Sequence, residues 1–190
     1  MRIAVSAVFV AACLAGSPAL ADGTAAVPES IETEGGTLNP EELTLNRVMK
    51  DVAEGRTSMT ICATGYYITK SGRHAMARTL FERCAAEGWT GAMTWMSQLD
   101  DNGLGGPENP DAAADWDRRA ADAGDPVGMF NYGLDLMRGR GVARNEALGR
   151  RLVDEAARGG LGTARRLKDA GYDLDVVTPD ADNWKYAPAF

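Results

Sequence analysis

The sequence predicts an all-α fold built as a short solenoid of helix-turn-helix repeats. The first observation is a period: Gly88, Gly124 and Gly160 are spaced 36 and 36 residues apart, and a period of about 20–50 residues is the signature of a repeat array. The second is composition, because the 190 residues include 31 Ala and 22 Gly, which suit closely packed helices. No single repeat could bury its apolar side alone, so we expect the stability to come from stacking.

The first 21 residues predict a secretory signal peptide. Met1 and Arg2 form a short basic start, the apolar run IAVSAVFVAACLAG follows, and Ala19-Leu20-Ala21 supplies a small-residue cleavage site. The apolar run is shorter than the about 20 residues that a transmembrane helix needs. We therefore expect cleavage after Ala21 and a periplasmic or secreted mature protein without a transmembrane segment.

A lipoprotein signal is the competing interpretation of this segment. Val10-Ala11-Ala12-Cys13 is similar to a lipobox, which would leave Cys13 as an acylated N-terminus. The usual Leu three places before the Cys is Val10 here, and the later A-x-A site also accounts for the small residues that follow. Soluble export is therefore the favoured interpretation.

Two further segments precede the repeats. Residues 22–38 are acidic and almost without bulky apolar side chains, so we expect a flexible leader. Asn39 and Pro40 predict the start of a helix that runs to Gly55, with Asn as N-cap and Pro at the first helical position. The repeat solenoid is predicted over residues 39–177.

Each repeat is expected to contain two helices. The predicted repeats are residues 74–109, residues 110–145 and a degenerate capping repeat, residues 146–177. In the middle repeat, the first helix is expected from Asp111 to Gly124 and the second from Pro126 to Gly139. Gly133 inside the second helix costs about 1 kcal/mol relative to Ala, and close helix contact is the expected compensation.

These residues carry a resemblance to a known family. The pattern A-A-x-x-G, then A/G-M, then a G-x-G-V turn resembles the Sel1-like repeat, a relative of the tetratricopeptide repeat. The clearest copy is Arg119 to Val142, RAADAGDPVGMFNYGLDLMRGRGV, and the resemblance extends over about Met59 to Tyr172. It implies a short right-handed α/α solenoid and a scaffold or adaptor for protein partners, which in exported bacterial members implies regulation or assembly at the envelope.

The two cysteines outside the signal peptide predict a structural disulfide. Cys62 and Cys84 lie 22 residues apart and are equidistant from a turn at Lys70–Arg73, between helices expected around residues 57–68 and 75–87. Residues equidistant from an antiparallel turn face each other, and the bridge requires Cα atoms within about 7 Å. A redox-active role is disfavoured, because there is no C-x-x-C pair.

Composition excludes several chemistries. The chain carries 27 Asp and Glu against 20 Lys and Arg, a net charge of −7, so general nucleic-acid binding is not expected. One His and three Cys are too few for a His-rich or four-cysteine metal site. His74 is expected to be a solvated residue at a helix start, and no G-x-S-x-G motif is present. We predict no catalytic, cofactor-binding or metal-binding residues and no enzymatic activity.

A basic segment is the first candidate partner-binding surface. Between Arg138 and Lys168 there are nine basic residues and three acidic ones, a net charge of +6. The members selected as candidates are Arg150, Arg151, Arg165 and Arg166. Such a surface can steer towards an acidic protein or anionic lipid headgroups, so peripheral membrane association is also considered. The alternative is an ordinary solvated helix surface, balanced by the neighbouring acidic tail.

The C-terminal tail, residues 178–190, is the second candidate. It concentrates Trp184, Tyr186 and Phe190 in a Pro- and Asp-rich stretch. It is expected either to cap the open end of the solenoid or to anchor a partner, since buried aromatic side chains dominate interface energies. The intramolecular cap is slightly favoured.

Taken together, the residues and the resemblance predict a non-catalytic periplasmic interaction module. It would act as an adaptor, regulator or accessory subunit by presenting a helical groove to an envelope or membrane-complex protein. One alternative is a cell-wall-related enzyme or small-ligand binder, which a pocket containing two carboxylates of perturbed pKa would support. A second alternative is a lipid-anchored envelope assembly factor, which requires an acylated Cys13.

Overall fold

The computed structural model describes residues 44–179, which form eight α-helices and one 3-10 turn and contain no β-strand. The helices are α1 Leu45–Ala53, α2 Met59–Lys70, α3 His74–Ala86, α4 Thr90–Asp101, α5 Pro110–Asp122, α6 Pro126–Arg138, α7 Glu146–Arg158 and α8 Gly162–Asp169, and the 3-10 turn is Leu174–Val176. None of these helices has the length and apolar character needed to cross a membrane. The all-α prediction is confirmed.

Helices α3–α4, α5–α6 and α7–α8 are the three predicted repeats, and consecutive helices pack on one another. The same cap recurs at the period: Asn109 and Asn145 each accept a hydrogen bond from a backbone N–H of the following first turn. The aligned glycines Gly88, Gly124 and Gly160 all have φ between +85° and +99°. That left-handed conformation is strained for other residues, which explains why glycine repeats there.

The small residues of the repeats allow backbones to approach closely. A Cβ atom added to Gly128 on α6 would lie 2.5 Å from Ala120 Cβ on α5. One added to Gly133 would lie 3.0 Å from the Gly149 carbonyl oxygen of α7, so the expected close contact at Gly133 is present. The helices therefore pack so closely at these two glycines that an added methyl group would crowd the neighbouring helix.

The first helix starts later than the sequence predicted. α1 begins at Leu45, and the hydroxyl of Thr44 caps it by accepting a hydrogen bond from the backbone N–H of Arg47. Thr44, and not Asn39, is therefore the N-cap of α1, and Asn39 itself lies outside the described residues. The predicted signal peptide, Cys13 and the acidic leader lie outside the described residues.

A disulfide joins the N-terminal helix pair to the first repeat. Cys62 on α2 and Cys84 on α3 are bonded, with their Cα atoms 5.9 Å apart, as the equal distances from the turn predicted. Both residues are fully buried in the first of two apolar clusters, which also contains Leu80, Phe81 and Leu99. The second cluster is formed by residues of α6, α7 and α8.

Candidate functional site

Most of the basic residues in the predicted surface are engaged within the molecule. Arg140 of the loop after α6 donates to Asp101 Oδ1 at 2.7 Å and to Glu108 Oε1 at 3.1 Å. Arg138 donates to the carbonyl oxygens of residues 174 and 177. Six of the nine have such partners: Arg138, Arg140, Arg144, Arg150, Arg158 and Lys168. The net charge of the segment therefore overstates the basic surface that a partner could contact.

The structure separates the four candidate arginines into two kinds. Arg150 donates to Glu146 Oε1 at 2.6 Å and lies over the ring of Tyr172, 4.7 Å from its centroid. Arg151 on α7 and both candidates on α8 are exposed and have no ion pair or hydrogen bond with any residue in 44–179. We name these three, Arg151, Arg165 and Arg166, the arginine surface.

The end of the described chain lies beside α8. A shallow groove of about 310 Å³ is formed by Thr163, Arg166 and residues 175–179. The two hydrogen bonds from Arg138 to the carbonyl oxygens of Leu174 and Val177 hold this last turn against the repeats. The aromatic candidates Trp184, Tyr186 and Phe190 lie outside the described residues.

A polar junction, which the sequence analysis did not select, lies in the middle of the solenoid. We define it as Ser97, Asp117 and Asn131, from α4, α5 and α6, all at most 3% exposed. Ser97 Oγ donates to Asp117 Oδ2 at 2.5 Å, and Asn131 Nδ2 donates to Oδ1 at 3.2 Å. Burial raises the pKa of Asp117 well above its usual value, and the nearby Asp135 carboxylate raises it further.

Asp135 on α6 is the second carboxyl group with a raised pKa. Burial and, to a smaller extent, the charge of Asp101 raise the pKa of Asp135 to about 7, although Arg138 and Arg140 act to lower it. Its Oδ2 atom is buried without a hydrogen-bond partner among the described residues. The ionised carboxylate is therefore held in an unfavourable environment.

These two carboxyl groups lie within helix packing. Neither lines the groove beside α8, a groove between α1 and α2, or a groove between α2 and α4, all formed by described residues. Residues 44–179 also contain no group of three or more His, Cys, Asp or Glu side chains that could hold a metal ion. A pocket containing two carboxyl groups of perturbed pKa would favour an enzyme, and none of these three grooves contains such a pair.

His74 is placed differently from the prediction. It is the first residue of α3, as expected, but it is half-buried and its Nδ1 atom is buried without a hydrogen-bond partner among the described residues. The expectation of a solvated side chain is therefore wrong. The loop after α4 covers this helix start, since a Cβ added to Gly105 would lie 2.8 Å from the backbone nitrogen of Ala75.

The aligned repeats contained a signal for the polar junction. The period of 36 residues superimposes Asp117 on Phe81 and Val153, and it superimposes Asn131 on Trp95 and Leu167. Two polar residues at positions that are apolar in both flanking repeats indicate a local exception to the core pattern. The groove between α2 and α4 gave no such signal in the sequence. Its lining residues come from α2, α4, the start of α3 and the loop after α4, which are brought together only by folding.

Comparison with solved structures places the fold among repeat proteins. The chain is similar to a Sel1 repeat protein from Oxalobacter formigenes, with 26% identity and a TM-score of 0.53 over 58% of this chain and 47% of that one. It is also similar to a protective antigen of uropathogenic Escherichia coli that displays an SLR fold, with 19% identity and a TM-score of 0.48 over 67% of this chain and 33% of the other. The match thus spans less than half of each of those proteins. No protein-family model and no curated protein matches the chain.

Proposed function

We propose that the chain is a non-catalytic interaction module of the cell envelope, acting as an adaptor or accessory subunit for a protein partner, in keeping with its similarity to a Sel1 repeat protein. The repeat fold supports protein binding in general, because stacked helix pairs present an extended surface. The site that we assign to this function is the arginine surface. Its partner would present a complementary acidic surface.

The arginine surface carries this proposal because its three guanidinium groups have no intramolecular role in the described part of the chain. An arginine that is paired within its own protein must give up that ion pair to bind a partner. An unpaired arginine has no such ion pair to break. The chain as a whole has a net charge of −7, so these groups are exposed, unpaired cations on an acidic molecule. Such charge patterns increase association rates and exclude partners of the wrong sign.

Export is the second part of the proposal. It is supported by the basic start, apolar run and A-x-A site of residues 1–21. It is also supported by the bonded pair Cys62 and Cys84, since disulfides persist in oxidising compartments. N-terminal sequencing of the protein recovered from the periplasmic fraction tests this part: a start at Asp22 supports it, and recovery of the uncut chain in the cytoplasm contradicts it.

The partner is sought by crosslinking the tagged protein in intact cells and identifying the captured proteins by mass spectrometry. The test variant carries Arg151→Gln, Arg165→Gln and Arg166→Gln. The control variant carries Lys50→Gln, Arg73→Gln and Arg118→Gln, which removes the same charge from exposed positions elsewhere. Each exposed ion pair contributes about 0.2–1 kcal/mol, so losing three is expected to weaken binding to the purified partner at least about threefold.

Capture of one dominant envelope protein, lost with the test variant and retained with the control, is the expected result. Equal loss with both variants would show that only net charge matters and would contradict the assignment of the site. Co-flotation with anionic lipid vesicles that depends on the same three arginines would replace the protein partner by a membrane surface. Capture that neither variant changes would also overturn the assignment.

A further inference from the structure

An open groove lies between α2 and α4 at the start of the first repeat. Its volume is about 610 Å³, within the about 300–1,000 Å³ of typical ligand clefts. The lining residues share a mixed aromatic and polar character: Tyr66, Thr69, Lys70, Gly72, His74, Trp95, Gln98, Leu99, Asn102 and Leu104. It does not include any member of the arginine surface, so it is a second site, and its ligand rests on the proposed function of binding a protein partner.

Two aromatic rings form the apolar part of the groove. The rings of Tyr66 and Trp95 meet edge to face, with centroids 5.6 Å apart. The ring of Trp95 also stacks on that of Phe81, with centroids 5.9 Å apart. This packing fixes both rings before any ligand arrives. A fixed aromatic surface gives an apolar side chain contact area at low entropic cost.

The polar part of the groove combines one cationic side chain, Lys70, with hydroxyl and amide groups. Trp95 is 9% exposed, and its Nε1–H donor has no acceptor among the described residues. The exposed Lys70 lies at the end of α2, with its ammonium 5.4 Å from the centroid of Tyr66. The exposed ammonium of Lys70 is therefore the charged group that a ligand in the groove would meet.

The charge of the groove selects the ligand further. Lys70 and His74 are its ionisable basic residues, and none of the lining residues is acidic. The helix N-terminus at His74 adds a partial positive charge on the same side. In a chain of net charge −7, a groove without any carboxylate is complementary to an anion.

We propose that this groove binds a short acidic peptide segment of a partner protein, with a carboxylate beside Lys70 and an apolar side chain against Tyr66 and Trp95. The amide group of Gln98 would donate to a peptide carbonyl oxygen. The groove is open to solvent, which allows an extended chain to enter and leave at its ends. Binding of this kind combines a charged anchor with an aromatic contact, as in other peptide-recognition surfaces.

The experiment is an NMR titration of the ¹⁵N-labelled protein with a capped hexapeptide that alternates aspartate and phenylalanine. The matched peptide has asparagine in place of each aspartate. The reporter is the indole N–H resonance of Trp95, which is resolved from the backbone amides. Saturable movement of this resonance with the acidic peptide, and at least about fivefold weaker binding of the uncharged one, is the expected result.

Two variants locate the charged contact. Lys70→Gln is expected to weaken binding of the acidic peptide at least about fivefold, whereas Lys50→Gln, the same change at an exposed position on α1, is expected to leave it unchanged. The triple glutamine variant of the arginine surface is expected to bind the peptide as the parent protein does. No movement of the Trp95 resonance at millimolar peptide, equal binding of the two peptides, or equal losses with both lysine variants would overturn the proposal.

Discussion

Replacement of Asp135 by asparagine is expected to change the pH dependence of stability. Asp135→Asn keeps the shape of the side chain and removes its charge. In the folded protein burial raises the pKa of Asp135 to about 7 from its usual value of 3.8. The fold therefore holds the proton more tightly than the unfolded chain, so this group's stabilising contribution is complete below about pH 4 and is lost as the pH rises towards 7.

The magnitude follows from the two pKa values. A gap of about 3 pKa units corresponds to about 4 kcal/mol of preference for the protonated carboxyl in the folded state. Integrated from pH 5.5 to pH 8.5, the loss for the parent protein is about 2 kcal/mol. The variant has no such proton to lose. Its buried amide adds a constant penalty of about 1–3 kcal/mol if unpaired, but that penalty does not depend on pH and cancels in the comparison.

Urea unfolding at pH 5.5 and pH 8.5, followed by circular dichroism, measures the effect. The free energy of unfolding of Asp135→Asn, relative to the parent protein, is expected to be about 2 kcal/mol more favourable at pH 8.5 than at pH 5.5. Asp115→Asn is the matched control, because Asp115 is an exposed aspartate on α5 with a side chain 53% exposed. It is expected to change little between the two pH values.

A constant difference between Asp135→Asn and the parent protein at both pH values would refute this reasoning, because it would mean that Asp135 loses its proton as easily in the fold as in the unfolded chain. A relative loss of stability at pH 8.5 would refute it more strongly, by showing that the ionised carboxylate is favoured. In that case the attraction of Arg138 and Arg140 would outweigh the burial and the repulsion from Asp101 that raise the pKa.

Two further predictions concern the stability of the repeats. Cys62→Ser together with Cys84→Ser opens a loop of 22 residues and is expected to lower the free energy of unfolding by about 3 kcal/mol; an unchanged urea midpoint would contradict it, and reduction of the parent protein provides the control. Gly128→Ala is expected to destabilise by about 1–3 kcal/mol through overpacking against α5. Gly124→Ala, which meets no atom within 4 Å but has φ of +85°, is expected to cost about 1 kcal/mol; an equal or smaller loss for Gly128→Ala would contradict the close approach.

The repeat architecture was predictable because it depends on local sequence signals that recur. The glycines at 88, 124 and 160, the prolines at 110 and 126, and the spacing of Cys62 and Cys84 each determine a turn, a helix start or a bridge. These features act over a few residues or one helix pair, so a single sequence contains them. The predicted start of α1 was wrong because the sequence offers two residues that can serve as N-cap, Asn39 and Thr44, within five positions.

The candidate sites were less predictable because they depend on contacts between distant residues. A count of charges selected Arg150, but its guanidinium is paired with Glu146 and lies over the ring of Tyr172, so it is not one of the unpaired arginines. Pairing of Arg140 with Asp101, 39 residues earlier, likewise cannot be read from spacing within one repeat. The burial of His74 depends on the loop after α4, which belongs to the other end of the same repeat.

The polar junction explains why the apolar core is divided in two. In the first repeat, the equivalent positions hold Phe81 and Trp95, whose rings stack at 5.9 Å. In the last repeat they hold Val153 and Leu167, both fully buried in one cluster. The middle repeat has Asp117 and Asn131 instead.

A buried carboxyl group with hydrogen bonds stabilises packing less than apolar side chains of similar volume do. In a repeat array, stability is the sum of the units and their interfaces. The two apolar clusters therefore meet at a polar contact between α4, α5 and α6. The groove beside Trp95 lies on the first cluster and the arginine surface lies on helices of the second, so the two proposed binding sites belong to different halves of the core.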